Sequence, residues 1–238
     1  MHTEQHERTA TRMAVHLKSA PSKSFADSAQ ADVADRVRDI VADIRSGGDE
    51  AVRRYAARFD GWSRESFRLD DAEIDAIMAT LDPQVIEDII FVQSQVRAFA
   101  QAQRDSLVDI EVETLPGVLL GQRHVPVQAA GAYIPGGKYP LTASAHMTIV
   151  TAKVAGVPRV VACTPPIRGE IPAATVAAMK LAGADEIYIL RGVQAVAAMA
   201  VGTETIAPVN LIAGPGNPYV AEAKRQLFGE VGIDLFAG

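Results

Sequence analysis

The chain has 238 residues, of which 48% are hydrophobic and 22% are charged, so it can bury one large core or two modest ones. Its formal net charge of -6, from 23 Lys and Arg against 29 Asp and Glu, argues against nucleic acid or an anionic membrane as a partner and favours a small metabolite. The single cysteine excludes a disulfide scaffold, and no segment has the roughly 20 apolar residues of a membrane span, so we expect a cytoplasmic globular protein.

The N-terminal part of the chain predicts an arm followed by two helices. Residues 1–24 are polar and weakly periodic, which indicates a frayed or partner-dependent arm. An apolar stripe with helical spacing then runs from Val33 to Ile44 and stops at Gly47-Gly48. Asp49 is the expected N-cap of the next helix, which ends at Asp60-Gly61.

Two more helices and a hairpin complete the helical N-terminal region, which we assign to residues 25–122. One helix is predicted to begin near Asp70 or Asp71, and another at Asp82-Pro83, with the aspartate as its cap and the proline in its first turn. Between residues 108 and 128 apolar residues begin to recur at every second position, as in a strand, and Leu115-Pro116-Gly117 supplies a turn. This hairpin leads into the next domain.

Residues 123–238 predict a Rossmann-like domain. Four short apolar runs, beginning at Ala130, Arg159, Glu186 and Val209, recur at roughly 25-residue intervals with alanine-rich helical segments between them, as expected of repeated βα units. Apolar runs without alternation are typical of parallel strands that are covered on both faces. The predicted fold class is therefore α/β, a Rossmann-like parallel sheet domain preceded by a helical region.

Ligands of such sheets bind beyond the carboxyl ends of the strands, so the turns after the four runs are the candidate site. Three of these turns contain glycine, which lets the backbone approach a ligand, and amide groups at a helix N-terminus favour an anionic cofactor. Glycine also serves purely conformational purposes in βα turns, and none of the turns matches G-x-G-x-x-G or the Walker A pattern. Spacing alone leaves both interpretations open. The turns are Pro135-Gly136-Gly137, Thr164-Pro165-Pro166, Arg191-Gly192-Val193-Gln194 and Gly214-Pro215-Gly216-Asn217.

Two isolated reactive side chains have simple interpretations. Cys163 lies inside an apolar run and is expected to be a buried strand thiol rather than a nucleophile. His146 is expected to be a surface or capping group, with a role in defining the substrate as the alternative. His124 and His146 lack the spacing of zinc ligands.

Several motifs resemble the histidinol dehydrogenase family. They are Tyr133-Ile134-Pro135-Gly136-Gly137 and residues 152–157 (AKVAGV), 192–204 (GVQAVAAMAVGTE), 214–217 (GPGN) and 222–225 (EAKR). The segment from Val37 to Asp60 also resembles the N-terminal region of this family, so the similarity covers about residues 33–238. The resemblance implies an NAD-dependent and zinc-containing oxidoreductase of histidine biosynthesis, which oxidises an amino alcohol through an aldehyde to a carboxylate and uses two NAD per product. It also implies a homodimer for the full-length protein.

The resemblance implies three cofactor-binding residues, Tyr133, Gln194 and Asn217, which fall on the family's cofactor-contacting positions. Tyr133 would lie against the dinucleotide, and the two amide side chains would supply directional hydrogen bonds. The alternatives are a core tyrosine, a polar residue at a helix N-terminus and a helix cap.

The family's catalytic glutamate and histidine and its zinc ligands would follow Gly238. The resemblance therefore implies a fragment that has no catalytic or metal-binding residues of its own and is inactive by itself. The apolar stripes around residues 37–59 and 86–99 would then lack partners. A catalytically silent nucleotide-binding or interaction protein, complete at 238 residues, is the alternative. Residues 139–147, 225–229 and 234–238 resemble a branch that includes sulfopropanediol dehydrogenases, for which the substrate would be a related polyol.

Overall fold

The computed structural model describes residues 23–136 and 140–236, with side chains from residue 30 onward. The predicted arm at residues 1–24 lies outside the described residues except for its last two positions. Gly137 of the first glycine turn and residues 237–238 also lie outside them.

The first long element is helix α1 (Lys23–Asp60), which is broken by a kink at Gly48 with a φ of 51°. The predicted interruption at Gly47-Gly48 is confirmed. The prediction that the Asp49 side chain caps the following segment is wrong, because this side chain bonds to Thr205 instead. The Asp49 backbone N–H donates to the Glu204 carboxylate at 2.7 Å, and the Asp49 carboxylate accepts from the Thr205 hydroxyl at 3.0 Å. The capping oxygen of the second segment therefore comes from a residue far along the chain.

The next two helices begin where the sequence predicts. Helix α2 (Asp71–Met78) has a capping box, in which Asp70 accepts from the Glu73 N–H and the Glu73 carboxylate accepts from the Asp70 N–H. Helix α3 (Pro83–Asp105) has Asp82 as its N-cap and a proline in its first turn. Strands β1 (Ile110–Leu115) and β2 (Val118–Gln122) form the predicted antiparallel hairpin.

The remainder of the chain alternates strands and helices. The elements are β3 (Ala129–Tyr133), α4 (Thr142–Ala145), a π-helical turn (His146–Val150), α5 (Thr151–Val154), β4 (Arg159–Thr164), α6 (Ala173–Ala182), β5 (Glu186–Ile189), α7 (Gly192–Val201), β6 (Leu211–Ala213), α8 (Pro218–Leu227) and β7 (Gly232–Ile233). The sheet order is β5-β4-β3-β6-β7, and all four pairings are parallel. The α/β class with a parallel sheet is confirmed. The prediction of four strands is corrected to five, because the two-residue strand β7 has no apolar run to mark it.

Helices cover both faces of the sheet, so there are two apolar clusters. On one face, helix α1 packs against α7 and α8. Val37 and Ile44 are fully buried there and Val52 is 1% exposed, so the expectation that this stripe lacks partners is wrong for these residues, whereas Phe59 at its end is 47% exposed. The stripe of α3 is divided, since Ile89 is buried and Phe99 is exposed. The second cluster combines α2 and α3 with α6 and the helical segment at residues 142–154.

The division of the chain near residue 122 stays a prediction. Helix α1 comes from the predicted helical region but packs against helices of the predicted sheet domain. Among the helices of the described residues, none combines the length and apolar character needed to cross a membrane.

Candidate functional site

The three predicted cofactor-binding residues meet at one edge of the sheet. Tyr133 ends β3, Gln194 lies in the first turn of α7 after β5, and Asn217 precedes α8 after β6. In a parallel sheet these strand ends lie at the same edge. A cavity of about 780 Å³ is lined by Gln194 and Asn217, and a second of about 430 Å³ is lined by Tyr133 and Asn217. Arg191 and Asn217 line both cavities, so the two adjoin.

Tyr133 is a buried residue, with 3% of its surface exposed. Its hydroxyl accepts a hydrogen bond of 2.9 Å from the backbone N–H of Gly192, where α7 begins with a φ of 60°. Burial raises the pKa of Tyr133 to about 12, so the phenol stays protonated at neutral pH and can donate a hydrogen bond as well. The tyrosine thus anchors α7 to the end of β3 and contributes to the wall of the smaller cavity.

Gln194 is held by a carboxylate that the sequence analysis did not assign to the site. Its Nε2 donates to Asp60 at 3.1 Å, and Arg191 Nη1 donates to the other oxygen of Asp60 at 3.0 Å. The Asp60 side chain is only 4% exposed. Burial raises the pKa of Asp60, although the hydrogen bonds and the charge of Arg191 act in the opposite direction. Asp60 is the last residue of α1, and the sequence predicted for it only the end of a helix.

Asn217 is the N-cap of α8. Its Oδ1 accepts from the backbone N–H groups of Tyr219 at 3.0 Å and Val220 at 3.1 Å, and Pro218 occupies the first helical position. No described residue accepts a hydrogen bond from its Nδ2. The predicted cap is confirmed, and Asn217 is an exposed residue that lines both cavities.

The Gly214-Pro215-Gly216-Asn217 turn is fastened by two residues that the sequence analysis also missed. Lys224 is fully buried, and its Nζ donates to the Gly214 carbonyl at 3.0 Å and to the Asp234 carboxylate. Asp234 in turn accepts from the Gly214 N–H at 2.8 Å. Gly214 has a φ of 128°, and a Cβ there would lie 2.0 Å from the Tyr133 carbonyl oxygen. Only glycine allows this turn to lie so close to the end of β3.

The lining of the cavities suits an anionic and partly aromatic ligand. The larger cavity has three arginines, Arg36, Arg58 and Arg191, against a single lining carboxylate, Asp39, and its aromatic members are Tyr55, Phe59 and Tyr219. The smaller cavity has Arg168 and Arg191 and no carboxylate among its described lining residues. The N-termini of α7 and α8 add partial positive charge at the same edge. This combination fits a dinucleotide.

His146 and Cys163 lie outside the lining of both cavities. His146 is buried, with Gln93 Nε2 at 3.1 Å from its Nδ1, so the prediction of a surface or capping group is wrong. Burial lowers the pKa of His146. Cys163 is the predicted buried strand thiol, and burial raises its pKa, which makes it a poor nucleophile.

The described residues do not fit a zinc site. Across residues 23–136 and 140–236, no group of three or more His, Cys, Asp or Glu side chains could hold a metal ion. We therefore assign no zinc ligand in this part of the chain.

Comparisons with known proteins agree with the motifs. The family model described as histidinol dehydrogenase matches residues 23–238. A histidinol dehydrogenase homolog of Shouchella clausii is 58% identical over 95% of this chain and 53% of the relative. A sulfopropanediol 3-dehydrogenase of Ruegeria pomeroyi is 46% identical over 94% of this chain and 51% of the relative. The crystal structure of histidinol dehydrogenase from Elizabethkingia anophelis superposes with a TM-score of 0.80 at 32% identity, covering 94% of this chain and 49% of that one.

The chain thus spans about half the length of the curated relatives that it matches. The family match covers the whole described part of the chain, including both glycine turns and the three residues that meet at the sheet edge. The chain belongs to the histidinol dehydrogenase family.

Proposed function

We propose that this chain is the coenzyme-binding part of an NAD-dependent oxidoreductase. The observation that carries the proposal is the convergence of Tyr133, Gln194 and Asn217 on two adjoining cavities at the carboxyl edge of a parallel sheet. These residues occupy the positions that the family resemblance assigns to the coenzyme. When bound, NAD would accept a hydride from the alcohol carbon of the substrate.

Each residue has a physical role in this proposal. Asn217 uses Oδ1 to cap α8 and offers Nδ2 to a ligand oxygen. Gln194 is oriented by Asp60, which fixes one end of its amide group. Arg191, shared by both cavities and half exposed, supplies a positive charge for the diphosphate. Tyr133 holds the start of α7 in place through Gly192.

The proposed substrate is an amino alcohol or a related polyol. Histidinol is the first candidate, oxidised to histidine through the aldehyde with two NAD. A sulfopropanediol is the second candidate, because the Ruegeria pomeroyi relative of that name is 46% identical to this chain and a histidinol dehydrogenase of Rhodospirillum rubrum is 47% identical. The two sequence identities are nearly equal and therefore favour neither substrate.

The proposal for the whole protein is a homodimer that uses zinc. The resemblance assigns no catalytic residue to this chain, so we expect the 238-residue protein to bind NAD without oxidising histidinol. Formation of NADH from histidinol by the purified chain, followed by absorbance, would contradict the second part of that expectation.

A calorimetric titration of the chain with NAD tests the site, with Asn217→Ser as the informative variant. Serine is as good an N-cap as asparagine, so α8 should stay intact while the Nδ2 donor is lost. We expect NAD to bind about tenfold more weakly, which corresponds to the loss of one hydrogen bond.

The matched control is Asp82→Ser. Asp82 caps α3 and is also followed by a proline in the first turn, but it lines neither cavity. This variant should bind NAD like the unaltered chain. Equal affinity of Asn217→Ser and the unaltered chain, or no binding by the unaltered chain, would refute the proposed site.

A further inference from the structure

Lys224 is the most deeply buried charged side chain at the site edge. It lies on α8 with none of its surface exposed, and its ammonium group has two hydrogen-bond acceptors, the Gly214 carbonyl at 3.0 Å and the Asp234 carboxylate. Neither Lys224 nor Asp234 lines the two cavities. Burial of an ammonium group is costly unless its hydrogen bonds are made.

The two side chains and Gly214 form a closed set of hydrogen bonds. One oxygen of Asp234 accepts from Lys224, and the other accepts from the Gly214 N–H at 2.8 Å. The carbonyl of the same glycine accepts from Lys224. The backbone N–H and C=O of Gly214, which belong to two successive peptide groups, are thus both fixed by side chains that approach from α8 and from the end of β7.

This arrangement determines where the glycine turn lies. Gly214 is held against the Tyr133 carbonyl, and Asn217 follows three residues later at the start of α8. The Asp234 N–H also donates to the Ile212 carbonyl at 3.2 Å, so the backbone that carries this carboxylate is fixed to β6. A shift of the Gly214 peptide would move Asn217 relative to Tyr133 and Gln194.

An ion pair with one fully buried and one partly exposed member, such as Lys224 and Asp234, is a weak source of stability. Replacement of such a pair by apolar side chains of similar volume is often neutral or stabilising. The pair is therefore poorly explained as a contribution to the free energy of folding. The hydrogen bonds from this pair to the backbone of Gly214 are better explained as a means of fixing the geometry of the turn.

We propose that Lys224 and Asp234 are positioning residues, which hold the Gly214 peptide so that Asn217 is aligned to bind the coenzyme. The inference rests on the proposed function. Neither residue touches the coenzyme in this proposal, and both act through the turn.

Two substitutions test the inference in the 238-residue chain. Lys224→Met keeps an unbranched apolar side chain of nearly the same length and removes the ammonium group. It leaves Asp234 accessible to water, because 34% of that side chain is exposed. Asp234→Asn keeps the shape of the side chain, but it replaces one of the two accepting oxygens, which now serve Lys224 and Gly214 separately, by an NH2 group that cannot accept. We expect each variant to bind NAD about tenfold more weakly in a calorimetric titration.

The matched control is Glu230→Gln. Glu230 pairs with Arg45 through two hydrogen bonds of 2.8 and 2.7 Å, and it lies four residues before Asp234 without contacting the turn. This variant should bind NAD with unchanged affinity. Amide hydrogen exchange gives a second readout: protection of the Gly214 N–H should fall in Lys224→Met and Asp234→Asn but not in Glu230→Gln.

The outcomes separate this inference from the proposed function. If the unaltered chain does not bind NAD, the proposed function fails and the inference fails with it. If the unaltered chain binds NAD and folded Asp234→Asn binds equally well, only the positioning role is refuted. A fall in melting temperature for Lys224→Met and Asp234→Asn, with no change in NAD affinity, would show that the pair has only a structural role and would refute the inference. Should Lys224→Met not fold, Asp234→Asn decides the matter, since its side chain is partly exposed.

Discussion

Helix α1 and the β1–β2 hairpin contain the same kinds of apolar side chain in opposite surroundings. In α1, Val37 and Ile44 are fully buried against α7 and α8. In the hairpin, Ile110 is 54% exposed and Leu119 is 65% exposed. Both segments have a clear apolar period in the sequence. The period therefore identifies the apolar side of an element, but whether that side is covered depends on elements far along the chain.

Covered and uncovered positions also differ in how they tolerate a change of glycine to alanine. This comparison gives the largest expected effect on stability. A Cβ on Gly214 would overlap the Tyr133 carbonyl oxygen, whereas Gly229, with a φ of 99°, has no other atom within 4 Å of such a Cβ. We expect Gly214→Ala to lose about 4 kcal/mol or more of unfolding free energy in urea denaturation, because backbone would have to move at a covered position.

Gly229→Ala is the control for this prediction. It has the cost of a positive φ but no overlap, so about 1–3 kcal/mol should be lost. Equal losses in the two variants would mean that the close approach of Gly214 to β3 does not exist in solution.

The next largest effect compares one isoleucine from each region. Ile44→Ala should lower the free energy of unfolding by about 2–5 kcal/mol, because it opens a cavity between α1 and the helices that cover it. Ile110→Ala, on the exposed hairpin, should change it by no more than about 0.5 kcal/mol. Urea titrations of the two variants measure both values. A large loss for Ile110→Ala would show that the hairpin is covered in solution.

Removal of a single buried hydrogen bond gives a smaller effect. Tyr133→Phe keeps the ring but leaves the Gly192 N–H without its acceptor. We expect a loss of about 0.5–1.5 kcal/mol of unfolding free energy, together with weaker NAD binding as the start of α7 loosens. Tyr219→Phe is the control for the unfolding free energy alone, because its hydroxyl makes no hydrogen bond to a described residue but its side chain lines the larger cavity. The assignment of Tyr133 as an anchor fails if the two variants lose the same unfolding free energy.

The features that the sequence predicted are those with local causes. Asp70, Asp82 and Asn217 each accept from a backbone N–H two or three residues ahead, so cap and helix lie within one short window. The four buried runs were recognisable for a related reason, because strands covered on both faces are apolar throughout. The three predicted site residues were assigned from the family resemblance, and the structure places them at one sheet edge, while their contact with a coenzyme stays a prediction.

The features that the sequence did not predict depend on distant partners. Glu204 accepts from the Asp49 N–H across 155 positions, and Asp60 meets Gln194 across 134. No window of local sequence contains both members of such a pair. Strand β7 was missed because two residues carry no pattern, and with it the position of Asp234 was missed. The burial of His146 likewise depends on Gln93 of α3, which lies 53 residues away.

His146 provides the smallest expected effect, which is one of pH. Burial holds the pKa of His146 below its ordinary value of 6.5. As the pH falls below about 6.5, the unfolded chain binds a proton that the folded chain does not, so the free energy of unfolding decreases. Above that value His146 is neutral in both states and does not make the free energy of unfolding depend on pH.

His146→Gln retains an acceptor for Gln93, and its free energy of unfolding should vary less between about pH 7 and pH 5 in urea titrations. If stability depends on pH in the same way in His146→Gln and the unaltered chain, this imidazole is accessible to water in solution. The contrast between covered and uncovered regions would then not extend to the α3 side of the sheet.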